Sequence, residues 1–177
     1  VTKTIFMPTG KNATATVYAM LNESDSEGKL RIYPLLTCRH FHLVVDKTRN
    51  PLSLNQQQSD REVIVTFKSQ RATVAAKATE GVFVEKPNWI ERLYYREEDK
   101  RGESSIDDCY RPGYFEVTVL PGQKVEFAIV AAASENSQEA KITSQEVGGT
   151  TRDVESLLEL ELKQRSGSTI KFYDTHK

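Results

Sequence analysis

Two short runs of acidic residues lie close together in the segment from Trp89 to Phe115. One run is Glu97-Glu98-Asp99 and the other is Asp107-Asp108. Hydrolysis of a glycosidic bond uses two carboxyl groups about 5 to 10 Å apart, one as general acid and the other as base or nucleophile. Adjacent acids in a charged loop are more often solvated, so the sequence favours a non-catalytic role for both runs.

The same segment collects aromatic and basic side chains. It holds the only Trp and four of the seven Tyr residues of the chain. Aromatic rings stack on the apolar faces of sugars, and planar polar groups bond to the hydroxyls, so this mixture suits a carbohydrate. The other interpretation is an excursion between strands, held by buried aromatics and internal ion pairs. Residue chemistry leaves both interpretations open.

The signals for other chemistries are weaker. His40 and His42 would share one face of a strand near Cys38, but no CxxC or HExxH spacing accompanies them, so hydrogen-bonding histidines are favoured over a metal site. The sequence contains no Gly-x-Ser-x-Gly elbow, and Gly148-Gly149 lacks the Lys and Ser/Thr of a phosphate loop. We therefore predict no catalytic residue, no metal and no cofactor.

Charge and cysteine usage limit the partners and the compartment. The chain has 24 basic and 25 acidic residues, a balance that argues against binding the phosphates of nucleic acid. No apolar run approaches the roughly 20 residues that span a bilayer, so no membrane partner is predicted. Cys38 and Cys109 are the only cysteines, which favours a reducing, cytoplasmic location. A disulfide between them stays open.

Period-two alternation of apolar residues predicts a mainly β fold. Every odd position of Ala13–Leu21 is apolar, and a turn cluster precedes it, so Thr2–Met7 and Ala13–Leu21 should form a hairpin. Residues 46–61 read as a surface loop. Further strands are expected at Lys29–Cys38, Glu62–Phe67, Arg71–Ala78 and Gly81–Glu85. Short strands at this spacing indicate an antiparallel β-sandwich.

Two features of the second half complete the predicted organisation. Pro121-Gly122 has the chemistry of a type II turn, so Tyr114–Leu120 and Lys124–Ala131 should form a second hairpin. We predict a sandwich over residues 1–133 and a linker over 134–177. Within the linker, a helix over 153–164 should begin at Asp153 and present one apolar stripe, comprising Val154, Leu157, Leu158 and Leu162.

Spaced blocks of the sequence resemble a known family. In the aromatic and acidic segment the matching positions are Trp89, Tyr95, Glu97, Glu98, Arg101, Gly102, Asp107, Asp108, Pro112, Gly113 and Phe115. They resemble the N-terminal domain of prokaryotic glycogen debranching enzymes of the amylo-α-1,6-glucosidase type. Lys3–Met7 and Leu30–His42 are similar to two further blocks of that domain, with His40 standing where the family usually has Asp.

The resemblance implies a non-catalytic role. The family's domain is a β-supersandwich that begins before the position of Val1, and an α/α-barrel catalytic domain should follow soon after Lys177. The catalytic carboxylates lie in that barrel, so none carries over to this chain. The implied parent reaction is hydrolysis of α-1,6-glucosidic branch linkages in glycogen-like α-glucan. This chain would pack on the barrel and shape one wall of its cleft.

The candidate contacts to substrate or barrel are Trp89, Arg101 and Asp108, with Arg39 and His42 as weaker candidates. An internal structural role is the alternative for each of them. Two other functions stay open: a stand-alone carbohydrate-binding module, and a β-sandwich interaction domain without affinity for sugar.

Overall fold

A computed structural model describes residues 1–40, 42–49 and 51–166, except for the side chain of Ser166. It confirms the predicted fold class: two antiparallel sheets and a C-terminal helix. The larger sheet has the order β1-β2-β9-β6-β5-β4. Its strands are β1 (Thr2–Phe6), β2 (Ala13–Leu21), β4 (Leu54–Ser59), β5 (Glu62–Phe67), β6 (Ala72–Ala78) and β9 (Lys124–Ser134).

The smaller sheet has three strands in the order β3-β8-β7. They are β3 (Gly28–Ile32), β7 (Val82–Tyr94) and β8 (Ile106–Val119). Strand β3 pairs only with Phe115–Val119, and β7 pairs with β8 over most of its length. Strands β7 and β8 therefore continue past β3, and the short helix α1 (Arg96–Lys100) connects them.

Apolar side chains from both sheets form the core between them. Phe67, Phe115 and Phe127 are fully buried there. Tyr18 stacks on Phe127 with ring centroids 5.2 Å apart, and Phe83 meets Phe115 edge-on at 5.1 Å. Alternation along each strand places these residues on the inner face and leaves polar residues outside, as a sandwich requires.

The other face of the larger sheet is covered by helices α2 (Ser137–Val147) and α3 (Thr151–Ser166). Val147 and Val154 are buried against this sheet, beside Ala15 and Val130. The sequence did not predict α2, because its buried residues, Ala140, Ser144 and Val147, form too weak an apolar stripe. The predicted division at residue 133 stays a prediction.

Helix α3 is confirmed, with a different start. Thr150 precedes it, and its hydroxyl oxygen accepts from the Asp153 backbone nitrogen at 3.2 Å. The Asp153 carboxylate in turn accepts from the Thr150 nitrogen at 2.8 Å, which is a capping box. Leu157 and Leu158 pack on the core, but Leu162, predicted on the same stripe, is 60% exposed and does not share their burial. Glu161 lies inward instead, and its carboxylate accepts from the Thr9 nitrogen at 2.6 Å.

The predicted hairpin of β1 and β2 is confirmed, with Thr4 opposite Val17. The second predicted hairpin is wrong. The turn itself exists: Gly122 has φ +70°, and the Gln123 nitrogen donates to the Leu120 oxygen at 3.0 Å. However, β8 and β9 belong to different sheets, so this turn carries the chain across the sandwich. Turn chemistry reports a local reversal and does not say which strands pair.

Part of the predicted loop over 46–61 is also wrong, because Leu54–Ser59 forms the edge strand β4. Backbone pairing to β5 sets Gln56 opposite Val65. The glutamine amides are satisfied across the sandwich, where Gln56 and Gln58 donate to Glu85 at 2.9 and 3.0 Å. An edge strand with one exposed face tolerates such polar residues, which is why its sequence resembles a loop.

No helix within the described ranges is both long and apolar enough to cross a membrane.

Candidate functional site

Residues 88–110, here called the arm, carry most of the candidate site. The arm consists of the distal parts of β7 and β8 with helix α1 between them. Its tip is closed by backbone and side-chain bonds: the Tyr95 nitrogen donates to the Ser105 oxygen at 2.8 Å, and Asp99 accepts from the Tyr94 hydroxyl at 2.9 Å. That hydrogen bond raises the pKa of Tyr94. The acidic run 97–99 lies in the first turn of α1, where it complements the helix dipole.

A loop, described over residues 36–40 and 42–49, lies along the arm and is held by Asp107. This carboxylate is fully buried. It accepts from Arg39 Nε at 2.9 Å and from the Val45 nitrogen at 2.7 Å. A buried carboxylate is stable only when it is paired and hydrogen-bonded, and Asp107 meets both conditions. The Leu36 and Tyr110 backbones add two hydrogen bonds of 2.8 Å.

Asp108 holds the same loop on the other side of β8. One carboxylate oxygen accepts from the Lys47 nitrogen and the other from the Arg92 nitrogen, each at 2.9 Å. Its own nitrogen donates to the Val45 oxygen at 3.0 Å. Both members of the Asp107-Asp108 pair are thus bonded to the chain itself. Their geometry accounts for the acids without any catalytic role.

Three of the five candidate contacts meet at one groove. Arg39, His42 and Arg101 line a solvent-open groove of about 850 Å³, here called the first groove. Its other lining residues are Leu43, Tyr94, Tyr95, Arg96, Glu97, Glu98, Glu103 and Ser104. Guanidinium donors, carboxylate acceptors and hydroxyls therefore surround one space. This mixture can satisfy the hydroxyls of a sugar from several sides.

The ion pairs in this groove are exposed and weak. Arg101 Nη1 is 3.5 Å from Glu98, and Lys100 Nζ is 2.9 Å from Glu97. Pairs of this kind contribute at most about 1 kcal/mol, because water screens them. A ligand can exchange with them at little cost. Arg39 differs, because its Nε is fixed on buried Asp107.

The two histidines contact each other. The His42 nitrogen donates to His40 Nδ1 at 3.4 Å, and the ring centroids are 5.6 Å apart. Within the described part of the chain, no group of three or more His, Cys, Asp or Glu side chains could hold a metal ion.

Trp89 and Asp108 lie outside the first groove. The Trp89 ring meets Tyr110 edge-on with centroids 5.7 Å apart, and the indole packs on the cluster between the sheets. Asp108 lines a neighbouring groove of about 560 Å³, here called the second groove, with Arg92, Thr48 and Ser105. The structure therefore brings together three candidates and separates the other two. A contact role for any of the five stays a prediction.

Sequence reasoning did not single out Arg92, which has a left-handed φ of +59°. The residue type did not indicate this conformation, because arginine rarely adopts a positive φ. The sequence also missed an aromatic row outside the smaller sheet. Tyr33 and Tyr114 lie 5.3 Å apart there, with Arg111 over Tyr33 and Arg31 over Tyr114.

Neither cysteine is an activated nucleophile. Both thiols are free, so the bridge that the sequence left open is not formed in this structure. Burial raises the pKa of Cys38 and, together with nearby Asp107, that of Cys109. A raised pKa disfavours the reactive thiolate.

Comparison with known proteins gives one family. The family model described as "Glycogen debranching enzyme N terminal" matches residues 1–126. No curated protein matches the chain. The matched range includes the whole smaller sheet, the arm and both grooves.

Proposed function

Because this chain belongs to the family of glycogen debranching enzyme N-terminal domains, we propose that it is the non-catalytic N-terminal part of a debranching glycoside hydrolase. The parent reaction is hydrolysis of α-1,6-glucosidic branch linkages, performed by carboxylates of an α/α-barrel catalytic domain. In this proposal residues 1–133 are the sandwich portion, and 134–177 connect it to the barrel. The cytoplasm is the proposed location, supported by the two free thiols.

The first groove carries this proposal. It joins Arg39, His42 and Arg101, three of the five residues predicted as contacts, around one polar space. Arg39 supplies a guanidinium fixed by Asp107, and Arg101 supplies one that only an exposed pair restrains. The groove therefore suits a glucan chain that passes along one wall of the catalytic cleft.

Titration calorimetry of the 177-residue chain with a branched limit dextrin tests the sugar contact. We expect binding in the millimolar range, weakened about ten-fold by R101A through loss of charged hydrogen bonds. R152A is the matched control, since Arg152 is an exposed arginine on α3, outside both grooves. Trp89 fluorescence is less suitable, because the indole lies outside both grooves.

The outcomes separate the candidate functions. Unchanged affinity in R101A would move sugar binding away from the first groove, and no heat at millimolar dextrin would favour a purely structural domain. For the parent reaction, we expect the gene to continue past Lys177 into a helical-barrel domain with paired acidic residues. A stop codon there would contradict the debranching proposal and favour a stand-alone module.

A further inference from the structure

Arg92 has a backbone conformation that its residue type disfavours. Its φ is +59°, and among the described residues other than glycine only Arg71, at +50°, shares a positive value. A side chain with a Cβ is strained in this left-handed region, whereas glycine is not. Such strain in a folded protein often marks a residue kept for a function.

The strain is held in place by the arm. Strands β7 and β8 slip in register between Ile90 and Leu93, so Arg92 lies in a β-bulge. Asp108, only 8% exposed, accepts from the Arg92 nitrogen at 2.9 Å. The same carboxylate accepts from the Lys47 nitrogen at 2.9 Å, which ties the bulge to the loop beside it. A bulge re-aims the side chain that it carries.

Arg92 lies in the wall of the second groove. Around it are the hydroxyl-bearing residues Thr48, Ser104 and Ser105 and the carboxylates of Asp46 and Glu91. Asp46 pairs with Arg49, and Glu91 pairs with Lys47, so the described residues leave the Arg92 guanidinium without a carboxylate partner. Ser104 lines both grooves, so the second groove lies directly beside the first.

We propose that the second groove is a further sugar-binding site for α-glucan and that Arg92 is its principal contact. The planar guanidinium donates paired N–H groups to neighbouring sugar hydroxyls, while the serine and threonine hydroxyls and the carboxylates complete the polyol site. This inference rests on the proposed function, because it takes the same glucan as the first groove. It adds a site and a residue that the sequence did not indicate.

Replacing Arg92 with glycine tests the site directly. R92G removes the guanidinium and leaves a residue that adopts the bulge without strain. In calorimetry with the branched limit dextrin, we expect affinity to fall about ten-fold. R71G is the matched control, because Arg71 has the same backbone strain in the turn between β5 and β6, away from both grooves. Its affinity should equal that of the wild type.

Thermal unfolding of the same variants tests the strain. Both R92G and R71G should melt about 2 °C higher than the wild type, as relief of left-handed strain outweighs the added freedom of the unfolded chain. A gain in stability together with a loss of affinity in R92G alone supports the proposal. A lower melting temperature in R92G would show that the bulge is not strained and would overturn the argument.

The remaining outcomes distinguish this inference from the proposed function. If R101A weakens binding and R92G does not, the second groove is not a glucan site, while the first groove stands. If calorimetry detects no heat of binding when the wild-type chain is titrated with the dextrin, neither groove binds sugar and both proposals of a sugar contact are rejected. If R71G weakens binding as much as R92G, the effect is not local to the groove and the inference fails.

Discussion

The body of the sandwich and the arm differ in what their most buried side chains are. In the body, most fully buried side chains are apolar, among them Phe67, Val65 and Phe127, and the polar exceptions Thr73 and Ser144 are uncharged. In the arm, Asp107 is completely buried and Asp108 nearly so, and each carboxylate accepts two hydrogen bonds. Apolar burial is non-directional, whereas a charged hydrogen bond requires particular atoms at particular distances.

Because of this difference, the stability of the fold depends mainly on the body, and the geometry of the grooves depends mainly on the arm. The body supplies the free energy of folding through the apolar area that it buries. In the arm, the carboxylates of Asp107 and Asp108 set where the adjoining loop and the bulge at Arg92 lie. The two grooves form between those elements, so their shape depends on a few oxygen atoms. Three variants test this division.

The largest expected effect is in the body. F127A removes a fully buried ring that stacks on Tyr18 at 5.2 Å. We expect the free energy of unfolding to fall by about 3–5 kcal/mol, from lost burial and the cavity that remains. Urea denaturation measures it, and V82A, at a 48% exposed valine, is the control with little change. A loss below about 1 kcal/mol in F127A would contradict an apolar body.

In the arm we expect a smaller but more local effect. D107A leaves Arg39 Nε and the Val45 nitrogen without their acceptor and should cost about 2–3 kcal/mol. Hydrogen exchange should accelerate over residues 42–49 and stay unchanged in β5 and β6. E103A, at an exposed carboxylate of the arm, is the control. If the Val45 amide keeps its protection in D107A, Asp107 does not hold the loop.

The smallest effect concerns a carboxylate of the body. Hydrogen bonds from Thr9 lower the pKa of Glu161, which docks α3 on the turn between β1 and β2. Because this pKa is lower in the folded state, the ionised carboxylate stabilises the fold at pH values above the unfolded pKa, near 4.5. That contribution is lost as the pH falls through the folded pKa. E161Q should therefore be less stable than wild type at neutral pH, and the gap should narrow in acid.

Denaturation of wild type and E161Q across the pH range measures this gap. E159Q is the matched control, since Glu159 is exposed on the same helix. Parallel stability curves for wild type and E161Q down to about pH 3 would show that the carboxylate charge is irrelevant to docking. A narrowing gap would show that the body also uses a directional bond where a helix meets a polar turn.

Much of the body could be predicted from the sequence, because its signals are local. Alternation in Ala13–Leu21 gave strand β2 with the same bounds, and Glu62–Phe67 likewise gave β5. Helix α3 was indicated by the spacing of Val154, Leu157 and Leu158. Edge strand β4 and helix α2 were not predicted, because neither has a strong apolar pattern.

The candidate site was less predictable. The acids and aromatics of the arm were found by their types, and Arg39, His42 and Arg101 do line one groove. The partner that fixes Arg39 lies far along the chain, since Asp107 is 68 positions away. A single sequence does not show which distant residues form a hydrogen-bonded pair. The residue types around Arg92 do not indicate a bulge. The bulge depends on Asp108 of the next strand, whose carboxylate accepts from the Arg92 nitrogen.

The sequence by itself determined the period of the strands, the turn at Pro121-Gly122 and the helix after residue 150, because each depends on neighbours within a few positions. Only the tertiary structure decided that this turn joins two sheets and that both acids of the pair are buried. Which sheet a strand joins, and which backbone groups a carboxylate meets, depends on burial between distant segments. The sequence favours a non-catalytic role for the acids of the arm, and the folded chain shows what Asp107 and Asp108 bind: the loop and the bulge that border the two grooves.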